Sequence, residues 1–288
     1  MRSIIPAVAL LCLVVGLSAK ATACAPDKLG VERTLVLSPK GGFAVGLRSY
    51  PQTLDLADHE VVLTFDDGPS PKATPAVLAA LEHQCVKAIF FLIGRNALAN
   101  VALVRRELRD GDSIGNHTYS HPILRLLTDA AARTDIDKGF AADEKAGGQP
   151  TSFFRFPGFA DTPALVAWLE SHNIGIFGTD LWASDWLKMT PDEERKLVLE
   201  RLERDGRGIL LLHDTKLSTA EMLPALLRDL KSHGFKIVDI VPGETRPTFR
   251  EAPPGWTSET EAILAKVLKA RGRKQTNPAG AHLPESVE

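Results

Sequence analysis

Short apolar runs alternate with longer amphipathic stretches through most of this chain, and that rhythm limits the folds open to it. Runs at 61–65, 88–93, 113–116, 153–156, 174–178, 209–212 and 236–240 read as strands. Between them, 75–83, 97–109, 129–144, 163–171, 191–204 and 220–232 carry helical patterns. A strand that is apolar on both faces needs cover on both, and intervening helices supply it, which argues for a parallel sheet. Seven such strands fit a distorted α/β barrel better than a small open sheet. A chain of 288 residues with 44% hydrophobic content has enough material for that core. Its 34 basic and 36 acidic residues nearly cancel, so no strong field points to nucleic acid or an anionic surface.

The flanks differ from this centre. Arg2, an apolar run from Ile4 to Leu17 and the small residues Ala21-Thr22-Ala23 predict an export signal over 1–23. The run is short for a membrane span, so no transmembrane segment is expected after cleavage. Cleavage there leaves Cys24 first, where a lipid anchor is a lesser alternative because Ala21 replaces the usual lipobox leucine. Cys24 and Cys85 are the cysteines left after cleavage, and an exported protein could join them, although Cys85 also reads as a buried thiol. Residues 24–58 form an extension in which 34–37 and 43–47 flank Pro39-Lys40-Gly41-Gly42, the pattern of a β-hairpin. A central domain is expected at 59–242. Residues 243–288 read as a proline-marked linker, a short helix at 259–271 and a disordered end. The basic residues Lys266, Lys269, Arg271, Arg273 and Lys274 in that region read as a solvated face.

Chemistry-bearing residues fall just after the strands. Asp66 and Asp67 end the first, His117 and His121 follow the third, Arg155 lies near the end of the fourth, and His213 ends the sixth. The carboxyl ends of barrel strands are where active sites assemble. Two imidazoles and a carboxylate leave positions open on a divalent cation. A second carboxylate beside them can serve as a base. Neighbours on an extended strand project oppositely, so Asp66 and Asp67 are expected to do different work. His117 and His121 would share a face if their segment were helical. His213, approached by an unusually apolar strand, suits a general acid with Asp185 as its partner, and Arg155 suits a fixed charge holding a base ionised. The histidines at 59, 83, 172, 233 and 282 lack evident carboxylate partners and read as structural.

In combination and order, these segments resemble the polysaccharide deacetylases of the NodB-homology group, carbohydrate esterase family four. Thr64-Phe65-Asp66-Asp67-Gly68 and His117-Thr118-Tyr119-Ser120-His121-Pro122 match the first two motifs. Arg155-Phe156-Pro157, Asp185-Trp186 and Leu211-Leu212-His213 correspond to the remaining three. The resemblance implies a distorted (β/α)7 barrel that removes N-acetyl groups from an amino-sugar polysaccharide. It implies Asp66 as base, with Asp67, His117 and His121 on a metal, zinc foremost and cobalt, nickel or manganese as substitutes. Arg155 would steady the base and Asp185 would tune His213 as acid. Trp186 and Leu211 would line the acetyl slot. Two departures stand out. Gly158-Phe159 replaces the usual Tyr-Gly, so Gly158 keeps the backbone oxyanion donor while the sugar-facing ring moves to Phe159. Trp182 stands where an Asp is common, which changes the cleft wall. An O-acetyl esterase, a non-haem iron oxygenase and a non-catalytic sugar-binding protein are the rival readings. The particular polymer and the oligomeric state leave no readable mark.

Overall fold

The computed structural model describes residues 24–275. The expected signal at 1–23 and the end of the tail at 276–288 lie outside the described residues. Strands β1 (Val31–Leu37), β2 (Phe43–Val45) and β3 (Gln52–Leu54) precede β4 (Glu60–Asp66). There follow α1 (Thr74–Gln84), β5 (Ala88–Leu92), α2 (Gly94–Ala99), α3 (Val101–Asp110), β6 (Ser113–Asn116) and α4 (Asp129–Gly147). Then come β7 (Phe153–Phe154), α5 (Pro163–Ser171), β8 (Gly175–Phe177), β9 (Leu181–Trp182), α6 (Pro191–Asp205) and β10 (Gly208–His213). Last among the described residues come α7 (Leu217–Ser232), β11 (Lys236–Pro242), β12 (Phe249–Glu251) and α8 (Glu259–Gln275).

Strands β4 to β8 are neighbours in sequence order, all parallel, and β10 pairs back onto β4. The sheet therefore wraps toward closure. Beyond β10 the sheet continues to β9, which pairs with β10, and among the described residues no strand pairing joins β9 to β8. Period-two alternation in β4 sorts its residues between two cores. Val61, Leu63 and Phe65 pack outward with α1 and α7, whereas Val62 joins Phe91, Phe153, Phe177 and Ile209 inside. Thr64 and Asp66 share the inward parity of Val62. That is how the sequence aims a carboxylate into the mouth of the barrel.

The expected hairpin does not form. Gly42 N–H does donate to the Pro39 carbonyl at 2.8 Å, closing a turn. However, β1 runs parallel to β11 and β2 runs parallel to β8, so the turn sends the chain from one sheet edge to the other. Packing explains β2: the Phe43 ring fills the space over Gly175, where an added Cβ would fall 2.3 Å from Phe43 Cζ. The helix expected at 97–109 is two helices, broken at Asn100, whose side-chain amide donates to the Pro69 and Asn96 carbonyls. The segment after Pro242 is more than a linker. Its β12 pairs antiparallel with β3, and α8 returns to the barrel mouth. Lys266 and Lys269 are exposed. The side chains of Arg271, Arg273 and Lys274 lie outside the described ones. Cys24 and Cys85 are joined by a disulfide, with Cα atoms 6.0 Å apart. The buried-thiol alternative is thereby corrected. No helix among the described residues is long and apolar enough to cross a membrane.

Candidate active site

Asp66 ends β4 on its inner face, and the next residue breaks the alternation. Asp67 has φ 76°, a left-handed conformation in which it no longer projects away from Asp66. Both carboxylates line one cavity, so strand parity does not separate them as the sequence suggested. Their surroundings do.

Asp67 faces the histidines. Its Oδ1 lies 3.3 Å from His121 Nε2 and 3.6 Å from His117 Nε2, and that buried oxygen has no hydrogen-bond partner. The segment carrying the histidines is a loop and not a helix. Thr118 and His121 take φ of 66° and 59°, and Asp135 pins the turn by accepting from the Tyr119 and Ser120 N–H groups at 2.9 and 3.0 Å. His117 Nδ1–H donates to the Arg155 carbonyl at 2.8 Å, which leaves the Nε2 lone pair aimed at Asp67. Burial, partly opposed by Asp66 and Asp67, lowers the His117 pKa to about 4, so its ring stays neutral. Burial works against the Asp67 charge, but His213, His117 and His121 hold its pKa below the usual value.

This group fits a divalent cation. Ligand atoms at about 2.1 Å from a tetrahedral ion lie about 3.4 Å from one another, near the separations seen here. The ligand atoms of Asp67, His117 and His121 all lie within 4.8 Å of each other, and the orphaned Asp67 oxygen gains a partner if an ion binds.

Asp66 is held differently. Arg155 donates to its Oδ1 at 2.7 Å and to Thr64 Oγ1 at 2.8 Å. The guanidinium also donates to the Phe177 and Gly178 carbonyls and lies over the Phe91 ring, so a fully buried cation is fixed on every side. Across the cavity, His213 is clamped by Asp185, which accepts from the ring Nδ1–H and from the backbone N–H, both at 2.7 Å. His213 Nε2 points back toward Asp67 Oδ2, 3.8 Å away. Burial opposes the imidazolium, but Asp185, with help from Asp67 and Asp66, raises its pKa to about 10.

The remaining expected residues complete the lining. Gly158 sits at φ 55° in a tight turn where an added Cβ would meet only Ile123 Cδ1, at an ordinary 3.5 Å, so backbone conformation and not crowding accounts for the glycine. Phe159, Trp182 and Trp186 form a row with ring centres 6.3 and 6.0 Å apart, and Trp186 meets His213 edge-on. Leu211 lies on the floor between Trp182 and His213. Every expected site residue lines this one cavity except Arg155 and Asp185, which stand directly behind it. Sequence reasoning missed Thr64, Thr219, Ile123, Phe156 and the contribution of α8. Only Thr64, two residues before Asp66 on the same strand face, carried a readable signal. Among the histidines read as partnerless, His59 and His233 do have partners, pairing with Asp58 and Glu203 at 2.8 and 2.7 Å, away from the cavity.

A parallel α/β barrel with this donor group at the carboxyl ends of its strands defines a class of metal-site barrel proteins. The comparisons narrow it further. Residues 54–175 match the family model for polysaccharide deacetylase. The chain is 35% identical over 181 residues to the peptidoglycan-N-acetylglucosamine deacetylase PgdA of Listeria monocytogenes, covering 62% of this chain and 38% of that protein. It is 31% identical to a peptidoglycan-N-acetylglucosamine deacetylase of Bacillus cereus, covering 62% of this chain and 85% of the relative. Among solved structures, the peptidoglycan deacetylase Bd3279 of Bdellovibrio bacteriovorus superposes with a TM-score of 0.69 at 30% identity, over 76% of this chain and 61% of that one. The match thus spans well under half of the Listeria protein. This chain belongs to the polysaccharide deacetylase family, and its fold is the family's distorted (β/α)7 barrel.

Proposed function

We propose that this protein hydrolyses the N-acetyl amide of an amino sugar in a cell-envelope glycan, releasing acetate. The observation that carries the reading is the division of labour between adjacent carboxylates. Asp67 is oriented to two histidines, whereas Asp66 is tied to a buried arginine. A divalent cation held by Asp67, His117 and His121, zinc foremost with cobalt, nickel or manganese as substitutes, would polarise the amide carbonyl and acidify water. Asp66, kept from ligation by Arg155, takes the proton of the attacking water. The Gly158 N–H donates to the developing oxyanion, a contribution of about 3 kcal/mol for such a donor. His213, held as an imidazolium by Asp185, then protonates the departing amine. This last provision favours an amide substrate, because an amine leaves poorly unless protonated. Leu211 and Trp186 bound the acetyl methyl, while Phe159 and Trp182 offer faces to a sugar ring.

Export supports the same reading. The N-terminal pattern predicts secretion, and a disulfide suits an oxidising compartment. The relatives' names place their own substrates in peptidoglycan. The decisive test is acetate release from a panel of N- and O-acetylated saccharides, with and without chelator and with and without oxygen. Chelator-sensitive, oxygen-independent release from N-acetyl substrates is expected. Release from O-acetyl substrates alone, or none from any saccharide, would overturn the proposal.

A further inference from the structure

Helix α8 adds a wall to the cavity that no strand end supplies. Thr260, Ile263 and Leu264 occupy one face of its first turns and line the same cavity as Asp66, Asp67 and His213. Thr260 and Leu264 are buried, and Ile263 is 46% exposed at the rim. The helix is moored at this point. Glu259 pairs with Arg48, and Glu261 accepts from Arg125 Nη1 at 3.0 Å. Thr260 N–H and Ser258 Oγ donate to the Arg48 carbonyl at 3.1 and 3.2 Å, and Trp256 Nε1–H donates to the Leu47 carbonyl at 2.6 Å. The Arg48 guanidinium in turn lies 4.2 Å over the Trp182 ring. One arginine thus couples the aromatic wall to the helical one. Residues 259–264 lie beyond the 54–175 segment that matches the family model, as do Asp185 and His213.

We propose that the first turns of α8 are a specificity-determining wall that favours short or chain-terminal amino sugars over internal sugars of a long glycan. The inference rests on the deacetylase reading of the site. A sugar within a polymer needs room for the chain on both sides, and α8 stands against one of them. The face it presents does not bind glycan hydroxyls. Ile263 and Leu264 are apolar, and Thr260 Oγ1 is engaged with the Arg48 carbonyl and Ser49 Oγ. A polyhydroxylated chain pressed on that surface would lose water without gaining partners. The wall therefore excludes more than it attracts. Its moorings are partly exposed, with Glu259 58% and Glu261 52% open, so they can be released without disturbing the core.

The test uses the full-length protein with chitobiose and chitopentaose as probes. The Glu259→Ala/Glu261→Ala double variant, and separately Ile263→Ala, should raise kcat/KM for the pentamer relative to the dimer by about fivefold or more. Ile263→Trp, at the exposed rim, should lower that ratio by a similar factor. Quenching of tryptophan fluorescence by the two saccharides reads the same ratio as affinities, independently of turnover. Ratios unchanged in all three variants, with melting temperatures like that of the parent, would overturn the proposal. Should the parent bind both saccharides yet release no acetate from them or from the wider panel, the deacetylase reading fails, and the affinity ratios still decide the role of the wall. If neither saccharide binds, the wall proposal falls, while the deacetylase reading is decided by the wider panel of acetylated saccharides.

Discussion

Arg155 and Asp66 form a 2.7 Å ion pair in which the arginine has no exposed surface. Taking a guanidinium out of water is expensive, and here the cost is offset by five hydrogen-bond directions that are nearly all used. The Asp66 carboxylate is fixed at one oxygen and left open to the cavity at the other. Its free oxygen lies 3.7 Å from His117 Nε2, but it is Asp67 that groups with both histidines.

Breaking that pair should be costly. Arg155→Met leaves Asp66 as an uncompensated buried carboxylate and orphans the carbonyls of Phe177 and Gly178. The variant is expected to lose about 3–5 kcal/mol of unfolding free energy in urea. Asp66→Asn added to Arg155→Met should cost less than it does alone. Additive effects would mean that the pair is not coupled.

The two aspartates should separate by metal content. Asp66→Asn is expected to abolish acetate release while purified protein still takes up zinc. Asp67→Asn and His117→Ala should lose both. Metal retention by Asp67→Asn, measured by elemental analysis after dialysis, would contradict the ligand assignment.

His213 sets the alkaline side. Its pKa is raised from 6.5 to about 10, against burial and chiefly through Asp185. The imidazolium is therefore the working form across neutral pH, and activity should fall as pH rises toward that value. A cation on Asp67 offsets part of the pull, so the limb of the loaded enzyme is expected below about 10. For stability the sign is the same. A raised folded pKa contributes fully below 6.5 and is lost as pH climbs through about 10. Chelated protein should therefore melt at progressively lower temperature over that window. Asp185→Asn should flatten the decline and move the activity limb down.

Much of the site was legible because its chemistry is local. Asp66 and Asp67 announce themselves at a strand end, and the apolar runs at 61–65 and 209–212 aim Asp66 and His213 at one mouth. What escaped depends on contacts between distant residues. The parallel pairing of β1 and β2 follows from sheet edges that exist only once the barrel has formed. The loop at 117–121 is shaped by Asp135, and the left-handed Thr118 and His121 have no periodic signature. Ile263 and Leu264 looked like an ordinary helix stripe, because spacing says nothing about which surface a helix meets.

The disulfide ties Cys24, the first of the described residues, to the residue that follows α1. Cys24 and Cys85 are separated by 61 residues, and closing a loop of that size restricts the unfolded chain considerably. Cys85→Ser is expected to cost about 2–4 kcal/mol. The parent should lose a similar amount when melted in reductant, while the variant should be indifferent to it. Reductant sensitivity persisting in the variant would sink the assignment.

Thr219 links the His213–Asp185 pair to a second buried acid. Its hydroxyl lies 2.9 Å from both Asp185 Oδ2 and Glu194 Oε1. One hydroxyl hydrogen cannot serve two carboxylates at once. Asp185 already accepts twice from His213, whereas Glu194 is buried and burial raises its pKa. A protonated Glu194 would donate to Thr219 and leave the Thr219 hydrogen for Asp185, and that is the arrangement expected. Thr219→Val breaks this chain at its middle and should cost kcat about tenfold or more, the scale of a hydrogen bond to a charged group. Thr219→Ser should restore it, and Glu194→Gln, still a neutral donor, should stay close to the parent. If Thr219→Val and Thr219→Ser are equally impaired with KM unchanged, Thr219 acts through its methyl packing and the proton assignment is wrong.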